Sequence, residues 1–296
     1  MVSGIGEHGV FMKKNIVVIS DFFINEQFVG GAELHDDVIC SFLESKKVLQ
    51  EKKKSDQVTV EYLKNNQNSV FFISNFVNLS FKSLLFLVKN CEYVIYEHDY
   101  KFLKKRNPIF YKDFKAPRAE IVNFNFYKNA KKVICLSELQ KNIFEKNLNL
   151  DNIVKVNCSM WTDNDLELMS EYTKIEKKNG VYAVIDSDNP IKKTSNAIKF
   201  CKKNDLKYEL IRSKNYREFL KMLSQYEGLV FTTGHPEPTP RVAIESKCLG
   251  LKFVSQKRLI GVAYEDYFHL NGEELIEKVK NLRDKNLTKI FDWCYE

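Results

Sequence analysis

The sequence predicts an α/β protein of two parallel-sheet, Rossmann-like domains facing each other across a cleft. Three observations predict it. Short apolar runs alternate with segments of helical period along the whole chain, the pattern of parallel sheets covered on both faces. The length, 296 residues, suits two domains of ordinary size. A polar, charged stretch at 157–180 separates two such alternating sets and reads as a hinge. The expected domains are 12–160 and 161–296, with the last helix free to pack back on the first. Residues 1–11 stand outside this reading, because Met12 followed by Lys13 and Lys14 resembles a second start, and no apolar leader segment precedes it.

In the first set, 16–19 (IVVI) reads as a strand, and Gly31–Ser45 carries Leu34, Val38, Ile39 and Phe42 on one helical face. Strands are expected at Val70–Ile73 and 93–96 (YVIY), with a helical segment at 84–88 between them. The run 133–136 (VICL) is a further strand, and Ser137 is placed to cap a helix over Glu138–Leu148. The run 153–156 closes the set. The second set has strands at 181–185, 208–211, 229–232 and 251–254. Helices are expected over Thr194–Lys203, 216–226 and 240–249, with Gly250 ending the third, and a last amphipathic helix over 273–282.

Composition bounds the function classes. Hydrophobic residues make up 44% and charged residues 29%, the balance of a chain with a core rather than a disordered one. The longest apolar stretch, near 83–88, is far short of the roughly 20 residues a membrane span needs. Seven dispersed cysteines without a C-x-x-C pair suggest neither a disulfide framework nor a zinc site, and point to reduced thiols in the cytoplasm. The net charge of +7 is spread over small clusters, such as 52–54, 104–106, Lys131 with Lys132, and Lys202 with Lys203. These read first as solvated helix faces, and second as attraction to anionic substrates or to the inner face of a membrane. A nucleic-acid binder would show a more concentrated basic stripe.

Parallel sheets bind ligands beyond the carboxyl ends of their strands. Gly30 and Gly31 follow the first strand, Glu97-His98-Asp99 follows 93–96, Lys192 and Lys193 follow 181–185, and Glu237 follows 229–232. The segment 234–250, GHPEPTPRVAIESKCLG, is the most informative. Thr239 suits an N-cap and Pro240 a first helical residue, and the amides beyond them make an anion site suited to phosphate. Glu237 and Glu245 are eight residues apart, roughly 12 Å along a helix. A retaining glycosidase pair needs roughly 5 Å between carboxyl groups, so these two fit better as grips on the two ends of a ligand whose diphosphate lies between them. A nucleotide sugar has that layout.

The spacing Glu237-x7-Glu245, with Gly250 at the helix end, resembles the signature of retaining GT-B glycosyltransferases of family 4. GGAE at 30–33 is similar to that family's glycine loop, EHD at 97–99 to its active-site histidine segment, and VICLSELQKNIF at 133–144 to the end of its first domain. The stretch from Ser187 to Lys192 corresponds to its R-x4-K phosphate motif. The resemblance implies a metal-independent transfer, with retention, of a hexose-type sugar from a nucleoside diphosphate sugar, a UDP- or GDP-sugar, to a glycan or lipid-linked acceptor. It further implies that Glu237 binds the sugar hydroxyls, Glu245 the ribose, and Lys192 the diphosphate. Gly30 and Gly31 would let amides approach the phosphates, and His98 would sit by the reacting sugar.

This chain departs from the pattern at two places. Ser187 stands where the family has arginine, so Lys193 or Arg212 is the expected substitute cation. Pro238 and Pro240 lack N–H groups, leaving the amides of Arg241 and Val242, with the Arg241 side chain, for the phosphates. Two alternatives follow: a non-catalytic nucleotide-sugar-binding protein of the same fold, or a phage-type transferase acting on DNA. No cofactor or metal is expected.

Overall fold

The computed structural model describes residues 14–24 and 30–296, so the expected domain start at residue 12 and the second start at Met12 lie outside the described residues. The first set of elements is β1 (Ile16–Ser20), α1 (Gly31–Ser45), β2 (Leu49–Lys54), α2 (Val60–Asn65), β3 (Val70–Ile73), α3 (Phe81–Asn90), β4 (Glu92–Tyr96), α4 (Phe124–Asn129), β5 (Val133–Cys135), α5 (Glu138–Leu148) and β6 (Ile153–Lys155). The second is α6 (Asp163–Tyr172), β7 (Lys178–Ile185), α7 (Thr194–Lys203), β8 (Lys207–Ile211), α8 (Tyr216–Ser224), β9 (Tyr226–Val230), α9 (Arg241–Cys248), β10 (Lys252–Val254) and α10 (Gly272–Tyr295).

All pairings within each sheet are parallel, in the orders β2-β1-β3-β4-β5-β6 and β10-β9-β7-β8. In each sheet the chain leaves the first strand to one side (β2, β8) and returns on the other (β3, β9). Crossovers therefore diverge between β1 and β3, and between β7 and β9. Such switch points open a crevice at the carboxyl ends of the strands.

The apolar runs are continuous because both faces of the first sheet are buried. Val17, Ile19, Phe71, Ile73 and Ile95 enter one core, while Ile16, Val18, Val70, Phe72 and Val94 enter the other. Alternation with period two assigns the faces.

Several elements differ from expectation. The segment 52–54 lies in β2, an edge strand of LQEKKK with alternating exposure, and not on a helix. Charge on an edge strand discourages pairing with other chains. The expected hinge is packed: Trp161 and Met160 are fully buried, and Thr162 caps α6 reciprocally with Asp165.

Helix α10 is 24 residues long, against the ten expected, and enters two cores. Leu275, Ile276 and Val279 pack with Leu220, Ala243 and Ile244 of the second domain. Leu287, Ile290 and Cys294 pack with Ile16 and Val18 of the first. Each such buried Leu or Ile contributes about 2 kcal/mol. Between the two apolar turns, Arg283 is buried and donates to the carbonyl of Trp161 at 3.0 Å and to Asp163 at 2.9 Å. Buried polar residues at the crossing interrupt the apolar period, which is why the sequence pattern stops at 282.

Candidate active site

The second domain builds one wall. Lys192, in the loop after β7, and Glu237, in the loop after β9, meet at the switch point: Lys192 Nζ lies 2.7 Å from Glu237 Oε1. Their side chains are 33% and 13% exposed, so the pair is open to the cleft without being bathed in solvent. Burial alone would raise the Glu237 carboxyl, but Lys192 and His235 beside it outweigh that and hold it below the usual range.

The backbone at Glu237 is clamped. Its N–H donates to Leu259 O and its carbonyl accepts from Gly261 N–H, both at 2.8 Å. Gly261 is wedged between domains: a Cβ there would lie 2.2 Å from Pro238 O and 2.3 Å from Ser137 Oγ. Close approach explains glycine at this position.

Helix α9 opens into the same space. Its N-cap is Pro240, in extended backbone, and Arg241 is the first helical residue. This corrects the expectation that Thr239 caps the helix with Pro240 inside it. The preceding Pro238–Thr239 turn is pinned by Ser159 Oγ, which donates to Thr239 O at 2.8 Å. Among the described residues the buried Thr239 hydroxyl finds no partner.

Glu245, one turn on, is buried. Its Oε1 accepts from Tyr216 at 2.7 Å and Trp161 Nε1 at 3.0 Å, and lies 3.3 Å from Arg241 Nε. The Arg241 guanidinium packs over the Trp161 ring at 4.7 Å and accompanies Tyr216, whose hydroxyl it meets at 3.1 Å. A buried carboxylate needs such partners. Burial, then Glu245, pushes the Tyr216 phenol well above its ordinary range, so it stays a donor.

The first domain supplies the opposite wall. His98 Nε2 lies 2.9 Å from Ser74 Oγ and 3.3 Å from Asp36 Oδ1. Asp36 is itself buried and accepts from Ser20 at 2.9 Å and from Ser74. All four stand at the β1/β3 switch point or beside it. Gly30 and Gly31 start α1; the Gly30 N–H donates to Glu33 Oε2 at 2.7 Å, and a Cβ on Gly31 would touch Arg241 Cδ at 3.4 Å across the cleft.

Gly30, Gly31, His98, Lys192, Glu237, Thr239, Arg241 and Glu245 line one cleft of about 470 Å³ between the domains. That volume is in the range of small-molecule sites. Two expected residues are elsewhere. Lys193 takes a left-handed backbone (φ 49°) that turns it away from Lys192, and it lines a separate cavity with Asn107 and Phe110. Arg212 is half exposed and pairs with Asp188. Neither lines the cleft. The cations on the cleft besides Lys192 are Arg241 and Arg106, among the described residues.

Sequence reasoning missed Tyr216, Trp161, Arg106, His35 and Asp36. His35 lines the cleft and contacts Tyr96 through Nδ1 at 3.1 Å; burial, then the charges of His98 and Arg241, push it well below its ordinary range. Arg106 had been grouped with a solvated helix face, but it sits in a loop at φ 51° and pairs with Asp99. Glu97, beside His98, turns inward to Lys101 and Tyr127 and is structural. Among the described residues, no group of three or more His, Cys, Asp or Glu is placed to hold a metal ion, and no helix is long and apolar enough to cross a membrane.

Comparison with solved structures places this architecture. HepE of Anabaena in complex with UDP and glucose superposes with a TM-score of 0.53 at 14% identity, over 92% of this chain and 89% of that one. The fold is GT-B. The catalytic domain of starch synthase IV from Arabidopsis thaliana, bound to ADP and acarbose, gives 0.53 at 8% identity over 96% and 99% of the two chains. An alpha-glucosyltransferase in complex with UDP and a 13-mer DNA gives 0.50 at 11% identity over 96% and 95%. No protein-family model matches the sequence, and no curated protein matches it.

Proposed function

We propose that this chain is a glycosyltransferase that takes its sugar from a nucleoside diphosphate sugar bound in the interdomain cleft, and passes it to a glycan or lipid-linked acceptor. The observation that carries the reading is the Lys192–Glu237 pair at the β7/β9 switch point, sharing one cleft with the N-terminus of α9, Glu245 and His98. HepE, of the same fold and in complex with UDP and glucose, supports it.

In this reading the diphosphate lies at the first turn of α9, where the Arg241 and Val242 amides point outward and the Thr239 hydroxyl supplies a donor that Pro238 and Pro240 lack. Glu245, preorganised by Trp161, Tyr216 and Arg241, accepts from the ribose. Glu237, ionised at neutral pH, accepts from sugar hydroxyls. Lys192 then divides its three N–H groups between Glu237 and the diphosphate, whose negative charge grows as the bond from the anomeric carbon to phosphate oxygen breaks. The acceptor hydroxyl attacks from the same face, its oxygen bonds the anomeric carbon with retention, and its proton passes to the departing diphosphate. His98, fixed by Asp36 and Ser74, orients the acceptor side. The protein supplies no nucleophile, and positive side chains carry the leaving-group charge without metal. A hexose from UDP or GDP fits this layout. The chain divides near 160/161 into an acceptor-side and a donor-side domain.

Glu237→Gln tests the assignment. It keeps the shape and removes the charge that grips the sugar, so donor turnover falls by at least a hundredfold while nucleoside diphosphate affinity changes little. Unchanged turnover would remove Glu237 from the reaction.

A further inference from the structure

The first domain carries a second surface feature that the cleft does not use. Val77, Phe81, Leu85 and Phe124 are exposed by 50%, 73%, 40% and 39%, four of the ten exposed large apolar side chains among the described residues. They belong together. Phe81 and Leu85 lie one turn apart on α3, Val77 precedes that helix, and Phe124 opens α4, which packs on α3. Val77 and Phe81 also line a groove of about 280 Å³ whose apolar floor includes Phe76, Leu79 and Leu103.

The charge around this patch is mainly positive. The segments 77–90, 101–106 and 122–128 contain Lys82, Lys89, Lys101, Lys104, Lys105, Arg106 and Lys128, and no aspartate or glutamate. Carboxylates reach them from outside: Glu97 and Asp99 pair with Lys101, Asp99 with Arg106, and Glu120 lies 4.0 Å from Lys104. A fourth carboxylate, Asp21, accepts from the Val77 and Asn78 amides at 3.0 Å, and Lys101 is buried against Glu97; the exposed Lys82, Lys89, Lys104, Lys105 and Lys128 still leave the patch positive.

Protruding apolar side chains ringed by lysines match an interface with apolar interior and anionic surface. A nucleic acid would use the lysines but gain nothing from Val77 or Leu85, which offer no ring for stacking. We infer that this face of the first domain docks on a bilayer bearing anionic headgroups, with Phe81 and Leu85 entering the acyl boundary and the lysines meeting phosphate. Arg106 lines both this groove and the interdomain cleft. Docking therefore brings the cleft mouth to the headgroup layer. The surface stands independently of the proposed reaction; resting on that reading, it names a membrane-borne acceptor.

Sedimentation of the full chain with phosphatidylcholine vesicles, with and without phosphatidylglycerol, tests the surface without any turnover. Binding is expected only with the anionic lipid and is expected to weaken with salt. Phe81→Ser with Leu85→Ser, both at exposed positions, lowers the partition coefficient at least tenfold. Lys82→Glu with Lys104→Glu lowers it by a similar factor or more. Thermal melting of both double variants checks that the fold is intact. No binding to anionic vesicles, equal binding to neutral ones, or unchanged binding by intact variants would overturn the inference. Tight, salt-dependent binding of duplex DNA without vesicle binding would overturn it in favour of a nucleic-acid surface. Loss of vesicle binding with donor hydrolysis intact supports the surface alone. Vesicle binding in a protein that binds no nucleoside diphosphate would leave the surface standing and remove the transferase reading.

Discussion

Gly261→Ala tests how tightly the second domain positions Glu237. The added Cβ would lie 2.2 Å from Pro238 O, 2.3 Å from Ser137 Oγ and 2.9 Å from Pro238 C. The serine hydroxyl can rotate aside, but the Pro238 backbone cannot. Ordinary contacts need over 3 Å, so the 237–238 segment must retreat by about 1 Å, and small-to-large strain of this kind costs about 1–3 kcal/mol. The retreat also loosens two backbone hydrogen bonds of 2.8 Å, Glu237 N to Leu259 O and Gly261 N to Glu237 O. The same displacement misplaces the Glu237 carboxylate relative to Lys192, and a shift of about 1 Å can cost roughly a hundredfold in rate. Thermal melting should show a midpoint lowered by several degrees. Donor hydrolysis, followed as release of nucleoside diphosphate, should fall about a hundredfold while the diphosphate itself still binds at α9. An alanine variant with unchanged melting and hydrolysis would refute the idea that this backbone is locked.

Two further predictions follow from buried groups. Tyr216→Phe removes one donor to Glu245 (2.7 Å) and the contact to Arg241 (3.1 Å) while keeping the ring. It should cost about 1–3 kcal/mol of stability in urea unfolding and weaken nucleoside diphosphate binding severalfold by calorimetry. For Asp99, burial alone would raise the carboxyl, but Lys101 and Arg106 outweigh it and hold it at about 2. A depressed carboxylate stabilises the fold above its unfolded value and loses that contribution as pH falls through its folded value. Asp99 therefore contributes about 2 kcal/mol at neutral pH. In paired urea titrations the stability gap between the native chain and Asp99→Asn should narrow from pH 5 to pH 2; a constant gap would contradict the assigned cause.

How much of this was legible in the sequence depended on where the determinants lie. Strands such as β1 and β3 were readable because both faces are buried and every residue but the terminal Ser20 is apolar. The edge strand β2 was not, since LQEKKK packs only alternate positions and carries the charge of a solvated face. The end of α10 was hidden because Arg283 and Asn286 are buried at the crossing between cores, where polar residues break the apolar period. The site shows the same division. Residues tied to strand ends, His98, Lys192 and Glu237, were placed by topology, and they share one cleft. Lys193 was not, because a left-handed backbone reverses its side chain relative to its neighbour. Trp161 and Tyr216 carry no local signal: their meaning appears only where α6, α8 and α9 converge on Glu245. The local sequence carries one hint: Glu245 is flanked by Ala243, Ile244 and Cys248, and a carboxylate packed among them needs partners.

The proposed reaction requires a nucleoside diphosphate to bind where Lys192 meets the N-terminus of α9. Thermal shift with UDP, GDP and ADP, each with and without EDTA, on the native chain and on Lys192→Ala, tests it most directly. A diphosphate at about 100 times its dissociation constant stabilises by roughly 2.7 kcal/mol, enough to raise the midpoint by several degrees. Such a shift is expected for one diphosphate, UDP or GDP, unaffected by EDTA and largely lost in Lys192→Ala. No shift with any diphosphate, or an equal shift in Lys192→Ala, would contradict it.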